Sequence, residues 1–124
     1  MRSSADIPSG MSGGTLTWQV EDRDGTRIVT PTGRVDEATA TEFTERLIAE
    51  AGGARGKLVL DLAGIAYMSS RGLRALTLAQ REGTRAGSTL VLAKPNETMR
   101  ELLAISRYDL IFKVADTIDE ALAG

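Results

Sequence analysis

The chain has 124 residues, a formal net charge of −2 at pH 7 and 42% hydrophobic residues, which suffices for the core of one ordinary domain. It contains no cysteine and no histidine, which excludes disulfides, thiolate nucleophiles, imidazole bases and Cys/His metal sites. The acidic balance gives no bulk attraction to nucleic acid, and no apolar run approaches the roughly 20 residues that span a bilayer. We therefore expect no nucleic-acid partner, membrane insertion, metal or cofactor, and the composition disfavours an enzyme.

The first 14 residues, MRSSADIPSGMSGG, are small and polar, and this composition predicts a disordered tail. They lack the uninterrupted apolar centre of a secretory signal, so we expect a cytoplasmic protein. No linker or repeat divides the remainder. The predicted organisation is a tail over residues 1–14 and one domain over residues 15–124.

The domain is predicted to open with a β-hairpin. Residues 16–20 alternate apolar and polar side chains, and residues 27–30 return as a second strand after the Asp24-Gly25 turn. The Pro31–Gly33 segment is expected to end that second strand.

A helical period follows the hairpin. Asp36 is a plausible N-cap, and Gly52-Gly53 is expected to stop the helix. Its predicted apolar face consists of Ala40, Phe43, Leu47 and Ala51.

Strands and helices then alternate. Residues 58–62 and 89–93 are short apolar strands, typical of a sheet covered on both faces. A helix over about residues 71–85 separates them and is expected to end at Gly87. A third helix has Met99, Leu102, Leu103 and Ile105 as its apolar residues; a last strand is predicted over 111–114, and Thr117 opens a terminal helix. This order predicts an α/β fold in which a mixed sheet, led by an N-terminal hairpin, carries about four packed helices.

Two adjacent serines, Ser69 and Ser70, stand where a predicted strand gives way to the second helix. Functional groups gather at the carboxyl ends of strands, and the unpaired N–H groups of a helix start stabilise a phosphate. Serine is also among the commonest N-caps. From position alone, the pair is therefore either a structural cap with ordinary surface beside it or a functional site.

The second helix is predicted to carry an arginine stripe opposite a small-residue face. That face consists of Gly72, Ala75, Leu76, Ala79 and Gly83. The stripe is either a solvated helix face or a docking surface for an acidic partner, with an apolar centre and a charged surround. Its members are Arg71, Arg74, Leu78, Arg81 and Arg85.

Four segments resemble a STAS domain, specifically the bacterial anti-sigma-factor antagonists, and the likeness covers about residues 15–124. They are GRVDEATATEFTERL (33–47), LVLDLAGIAYMSSRGLRAL (58–76), LVLAKPNETMRELLAISRYDLIFKV (90–114) and the closing TIDEAL. The resemblance implies a single STAS domain that regulates transcription and is not a catalyst. Its implied partners are an anti-sigma factor that is also a serine kinase, which releases the phosphorylated protein, and a serine phosphatase that reverses the modification.

Matching this motif by position implies that Ser70 is the phospho-acceptor, with Asp36, Arg71 and Gly72 as its neighbours. The family pattern here is Asp-Ser-Ser/Thr-Gly. In this chain Ser69 replaces the aspartate and is an alternative acceptor, while Arg71 replaces a small residue.

Related branches of the family imply a second interpretation, in which the protein is a STAS scaffold or ligand-binding module that is not phosphorylated. Such modules serve as subunits of lipid-transport or stress-signalling complexes. The resemblance implies no particular oligomeric state. It also places Arg107 where the family commonly has a glycine.

Overall fold

A computed structural model describes residues 16–123, and the predicted tail over residues 1–14 lies outside the described residues. The strands are β1 (Leu16–Arg23), β2 (Thr26–Val35), β3 (Gly56–Asp61), β4 (Ile65–Met68), β5 (Ser88–Ala93) and β6 (Lys113–Ala115). The α-helices are α1 (Ala40–Gly53), α2 (Ser70–Ala86), α3 (Glu97–Ile105) and α4 (Ile118–Ala123), and a short 3-10 helix spans Tyr108–Leu110. These elements confirm the predicted α/β class.

The strands form one mixed sheet in the order β1-β2-β3-β5-β6, with β4 also paired to β2. Among the strands of residues 16–123, only β1 and β2 pair antiparallel, as the hairpin predicts, and the other pairs are parallel. Helices α1, α2 and α3 contribute to the main core on one face, whereas α4 packs on the opposite face through Ala121. Both faces of β3 are buried for this reason, which accounts for its apolar run.

Strand β2 extends beyond the predicted stop at Pro31–Gly33, so that prediction was wrong. Pro31 lies after the residues that pair with β3 and before those that pair with β4, where its missing N–H interrupts neither parallel ladder. Gly33 has a φ of 135°, and the register shifts between Gly33 and Arg34. The shift leaves Ala66 of β4 as the extra residue, whereas β2 changes its parallel partner between Val29, which pairs with β3, and Gly33, which pairs with β4.

Strand β4 was not predicted, because four residues give too short a pattern to recognise. Its first and last residues, Ile65 and Met68, are buried against the core. The last strand was predicted over 111–114, but it spans Lys113–Ala115 and follows the 3-10 helix. The Tyr108 carbonyl accepts hydrogen bonds from the N–H groups of Ile111 and Phe112, at 3.0 and 2.8 Å, which keeps both residues in a turn.

The predicted apolar face of α1 is buried without exception, but the prediction that Asp36 caps this helix was wrong. Thr39 occupies the N-cap position and the helix begins at Ala40. Asp36 instead closes the preceding turn, since its Oδ1 accepts a hydrogen bond from the Ala38 N–H at 3.0 Å. In α3, Ile105 was predicted to be part of the apolar side, yet it is 79% exposed.

Candidate functional site

The start of α2 is held by backbone contacts to the end of β2. The Ser69 N–H donates to the Val35 carbonyl at 2.8 Å, so the residue that follows β4 is bonded to the neighbouring strand. Ser69 has an extended backbone and is the N-cap of α2, with its Oγ accepting from the Gly72 N–H at 3.4 Å. The structural role that sequence position left open therefore belongs to Ser69.

Ser70 is the first residue of α2 and is exposed to solvent, whereas Ser69 is half-buried. Within residues 16–123, the Ser70 hydroxyl makes no hydrogen bond, while the Ser69 hydroxyl is used by the cap. The two neighbouring hydroxyls thus differ in access and in bonding. Ser70 presents a free oxygen at the positive end of a 17-residue helix.

Gly72 sets how closely α2 approaches the sheet. A Cβ placed on this buried glycine would lie 2.7 Å from Val35 Cγ1 and would also overlap Met68 Cγ. No larger residue fits there unless the helix moves. The glycine next to the serines is therefore explained by packing.

The turn between β2 and α1 lies against the start of α2. Arg71 reaches this turn: its Nη2 donates to Thr41 Oγ1 at 2.9 Å, and its Nη1 lies 3.9 Å from Glu37 Oε1. Asp36 Oδ2 lies 3.7 Å from Arg34 Nε. The candidate site therefore combines a free hydroxyl, two carboxylates and two guanidinium groups.

The arginine stripe is not uniform in its surroundings. Arg71 is tied to α1, and Arg85 donates to both carboxylate oxygens of Glu82, with Nη2 to Oε2 at 2.6 Å. These hydrogen bonds raise the pKa of Arg85 above its ordinary value. Arg74 and Arg81 are exposed and have no acidic partner within the part of the chain that the structure describes. The half-buried Leu78 lies in the same stripe.

A neighbour of α2 was missed at the sequence level. The hydroxyl of Tyr108 lies 3.2 Å from Thr77 Oγ1, so the connection between α3 and β6 contacts the middle of α2. This connection includes exposed apolar residues. A sequence signal existed in the run Leu110-Ile111-Phe112, of which residues 111 and 112 were predicted to open the last strand.

Over residues 16–123, no helix combines the length and apolar character needed to cross a membrane. In the same part of the chain, no three acidic side chains form a cluster suited to a metal ion.

The element order and the exposed serine at the start of α2 define a small mixed α/β domain with a candidate modification site. The sequence model of the STAS domain matches residues 17–121. The chain belongs to the STAS domain family, in the group that includes the bacterial anti-sigma-factor antagonists, which confirms the resemblance stated from the sequence.

Two relatives illustrate this membership, and a third protein shows the same fold. BtrV of Bordetella bronchiseptica, a proposed anti-sigma factor antagonist, is 33% identical over 100 residues, which cover 81% of this chain and 86% of BtrV. An anti-sigma factor antagonist from Mycobacterium paratuberculosis has a TM-score of 0.76 at 27% identity, over 88% of this chain and 92% of that structure. The anti-sigma factor antagonist SpoIIAA shares the fold in its unphosphorylated form, with a TM-score of 0.68 at 20% identity over 86% of this chain and 93% of that structure. The phosphorylated form of Bacillus SpoIIAA has a TM-score of 0.62 at 21% identity, over 86% and 97% of the two chains.

Proposed function

We propose that this protein is an anti-sigma-factor antagonist that binds a serine-kinase anti-sigma factor until phosphorylation of Ser70 releases it. The observation that carries the proposal is the contrast between two hydroxyls: Ser70 is exposed and unbonded within the described residues, whereas Ser69 caps α2. Membership of the STAS family supports the class of function. The names of the relatives support the kind of partner.

A phosphate on Ser70 would change charge without disturbing the core. It adds about −1.5 to −2 charges and three acceptor oxygens at neutral pH. Because the hydroxyl already faces solvent, the group needs no internal cavity, and it would lie at the positive end of the α2 dipole. We therefore expect the fold to be retained and the effect to fall on the partner interface.

Arg71 is the residue best placed to respond to that phosphate. Its present ion pair is weak, because the Nη1 group is 3.9 Å from a Glu37 carboxylate whose side chain is 93% exposed. A dianionic phosphate is a stronger bidentate acceptor than this carboxylate. In the proposed switch, Arg71 leaves Glu37 and binds the phosphate, which alters the charge pattern that the partner meets.

In this proposal the chain carries no catalytic group of its own. The anti-sigma factor supplies the kinase activity, a serine phosphatase restores the binding form, and the cycle runs in the cytoplasm. A fall of two to three decades in partner affinity on phosphorylation corresponds to a loss of roughly 3–4 kcal/mol in binding free energy. The cost of removing water from a dianionic phosphate at the interface is large enough to cause this loss.

The first test is to purify the protein from its own host and measure its intact mass with and without phosphatase. We expect a phosphatase-sensitive addition of one phosphate, located on Ser70 by peptide mapping. Ser70→Ala should bind the anti-sigma factor and accept no phosphate. Ser69→Ala is the matched control and should still be modified.

The second test separates binding from modification. Ser70→Asp should keep the circular dichroism spectrum of the wild type and bind the anti-sigma factor at least about a hundredfold more weakly. If the Ser70→Ala variant is still phosphorylated, and the phosphate is on Ser69, then Ser69 is the acceptor. Unphosphorylated protein that captures a transporter ATPase in place of a histidine-kinase-like ATPase would favour the scaffold interpretation.

A further inference from the structure

Exposed apolar side chains are concentrated in one short segment. Among residues 16–123, the large hydrophobic residues with high exposure are Val20 at 44%, Ile105 at 79%, Leu110 at 73% and Ile111 at 57%. Three of these four lie between residues 105 and 111, at the end of α3 and in the connection that follows. Single exposed hydrophobic residues are ordinary, but a cluster marks an interaction surface.

This segment is anchored, so its apolar side chains are presented in fixed positions. The Leu110 N–H donates to the Arg107 carbonyl at 3.2 Å, and the ring of Tyr108 stacks on Phe112 with centroids 5.6 Å apart. The Tyr108 hydroxyl bonds to Thr77 of α2. Tyr108 therefore fixes the segment against the middle of α2.

The face of α2 that meets Tyr108 also contains Ser70. Ser70, Arg74, Thr77 and Arg81 follow at spacings of four, three and four residues, so they share one side of the helix. Thr77 lies roughly 10 Å along the axis from Ser70 at 1.5 Å per residue. A phosphate on Ser70 is thus within about one Debye length of the Tyr108 contact.

Cations lie on both elements that meet at the Tyr108–Thr77 contact. Arg74 and Arg81 have no acidic partner in the described part of the chain, and Arg107 is exposed within the segment itself. Asp109 is an exposed acid in the segment, and Glu101 is another on α3, one helical turn before Ile105. The local excess is positive, although the whole chain has a net charge of −2.

We propose that the anti-sigma factor binds a composite surface, the α2–turn surface, and contacts it with an acidic face that carries apolar side chains. The α2–turn surface is formed by Arg74, Arg81, Ile105, Arg107, Leu110 and Ile111. This inference rests on the proposed function and extends it, because the predicted stripe did not include the segment after α3. The apolar residues supply desolvated contact area and the arginines supply orientation and association rate.

A second copy of this chain is a poorer occupant of the α2–turn surface. A twofold dimer through this patch would place the same surface on both sides of the interface. Arg74, Arg81 and Arg107 of one copy would then face the same arginines of the other. Like-charge juxtaposition of this kind is strongly unfavourable, whereas an acidic partner removes it.

The test measures binding of the full-length protein to the purified anti-sigma factor captured from the host. Leu110→Ser and Ile111→Ser should each weaken binding by about tenfold, mainly through faster dissociation, because each side chain loses most of its apolar burial. Val20→Ser is the matched control: Val20 is exposed and apolar but lies on β1, and its substitution should change affinity less than twofold. Circular dichroism and thermal unfolding verify that each variant folds.

A charge variant tests the second part of the surface. Arg74→Glu combined with Arg81→Glu should slow association, and the effect should shrink as ionic strength rises. The inference would be overturned if Leu110→Ser bound the anti-sigma factor with wild-type affinity. The proposed function would stay intact in that case, provided that the wild-type protein binds the anti-sigma factor and Ser70→Asp does not. A wild-type homodimer that dissociates in Leu110→Ser would also overturn it and assign the surface to a second copy.

Discussion

Replacement of Gly72 by alanine tests whether the start of α2 depends on close packing against the sheet. The new Cβ would lie 2.7 Å from Val35 Cγ1 and would overlap Met68 Cγ. Overpacking of a well-packed core typically costs about 1–3 kcal/mol. The better helix propensity of alanine returns up to about 1 kcal/mol. We therefore expect a net loss of about 1–2 kcal/mol in the free energy of unfolding.

This change should also disturb the candidate site, because Gly72 donates its N–H to the Ser69 cap. Urea denaturation followed by circular dichroism measures the loss, and a lower midpoint at an unchanged slope is the expected result. Phosphorylation of Ser70 by the purified anti-sigma factor should become slower, since the helix start must shift away from β2 and β4.

Gly53→Ala is the matched control, because it adds the same methyl group at the end of α1. Its Cβ would meet Arg27 Nη1 at 3.4 Å, an ordinary contact with a flexible side chain. This variant should keep or slightly raise the stability. Equal or greater stability of Gly72→Ala than of the wild type would refute the claim that close packing requires a glycine at position 72.

Two further substitutions test local backbone and capping energetics. Arg107 has φ 66° and ψ 18°, a left-handed conformation that costs a non-glycine residue about 1–2 kcal/mol. Because glycine also loses more backbone entropy on folding, Arg107→Gly should stabilise the fold by about 0.5–1 kcal/mol. Thermal unfolding measures this, and a fall in Tm would contradict it. Asn96 caps α3 through the Met99 N–H at 2.9 Å and donates to the Ile65 carbonyl at 2.7 Å, so Asn96→Ala should destabilise the protein by roughly 2 kcal/mol. Wild-type stability of Asn96→Ala would show that these hydrogen bonds contribute little.

The regular elements were predictable where the periodic pattern was long. The buried faces of α1 and α2 agree with the sequence prediction residue by residue, because a 14- or 17-residue helix repeats its signal several times. The C-terminal stop of α2 was equally predictable, since Gly87 has a φ of 96° that favours glycine. Local sequence carried these features, and tertiary contacts only reinforced them.

Features decided by distant contacts were not predictable. β4 has four residues and is defined by its pairing with the far end of β2. The exposure of Ile105 depends on where α3 ends relative to the sheet, and the position of Tyr108 depends on Thr77, 31 residues away. For the serines, the sequence indicated the place, but only the geometry assigns the cap to Ser69.

The arginine at position 107 illustrates the same difference. The resemblance placed it where a glycine is common, and the sequence offered no reason. Its left-handed backbone supplies that reason, because the turn between α3 and the 3-10 helix needs a positive φ. The chain keeps a guanidinium there despite the conformational cost, which is consistent with its membership of the α2–turn surface.

The change of parallel partner along β2 also bears on the order in which the molecule assembles. Residues 33–35 of β2 pair with β4, and the Val35 carbonyl accepts the hydrogen bond from the Ser69 N–H. Such long-range pairings form late, since loop closure must precede them. In a nascent or partly unfolded chain, Ser70 is therefore not yet held at the start of a formed helix. Under the proposed function, a kinase that recognises the start of α2 would phosphorylate only the folded protein.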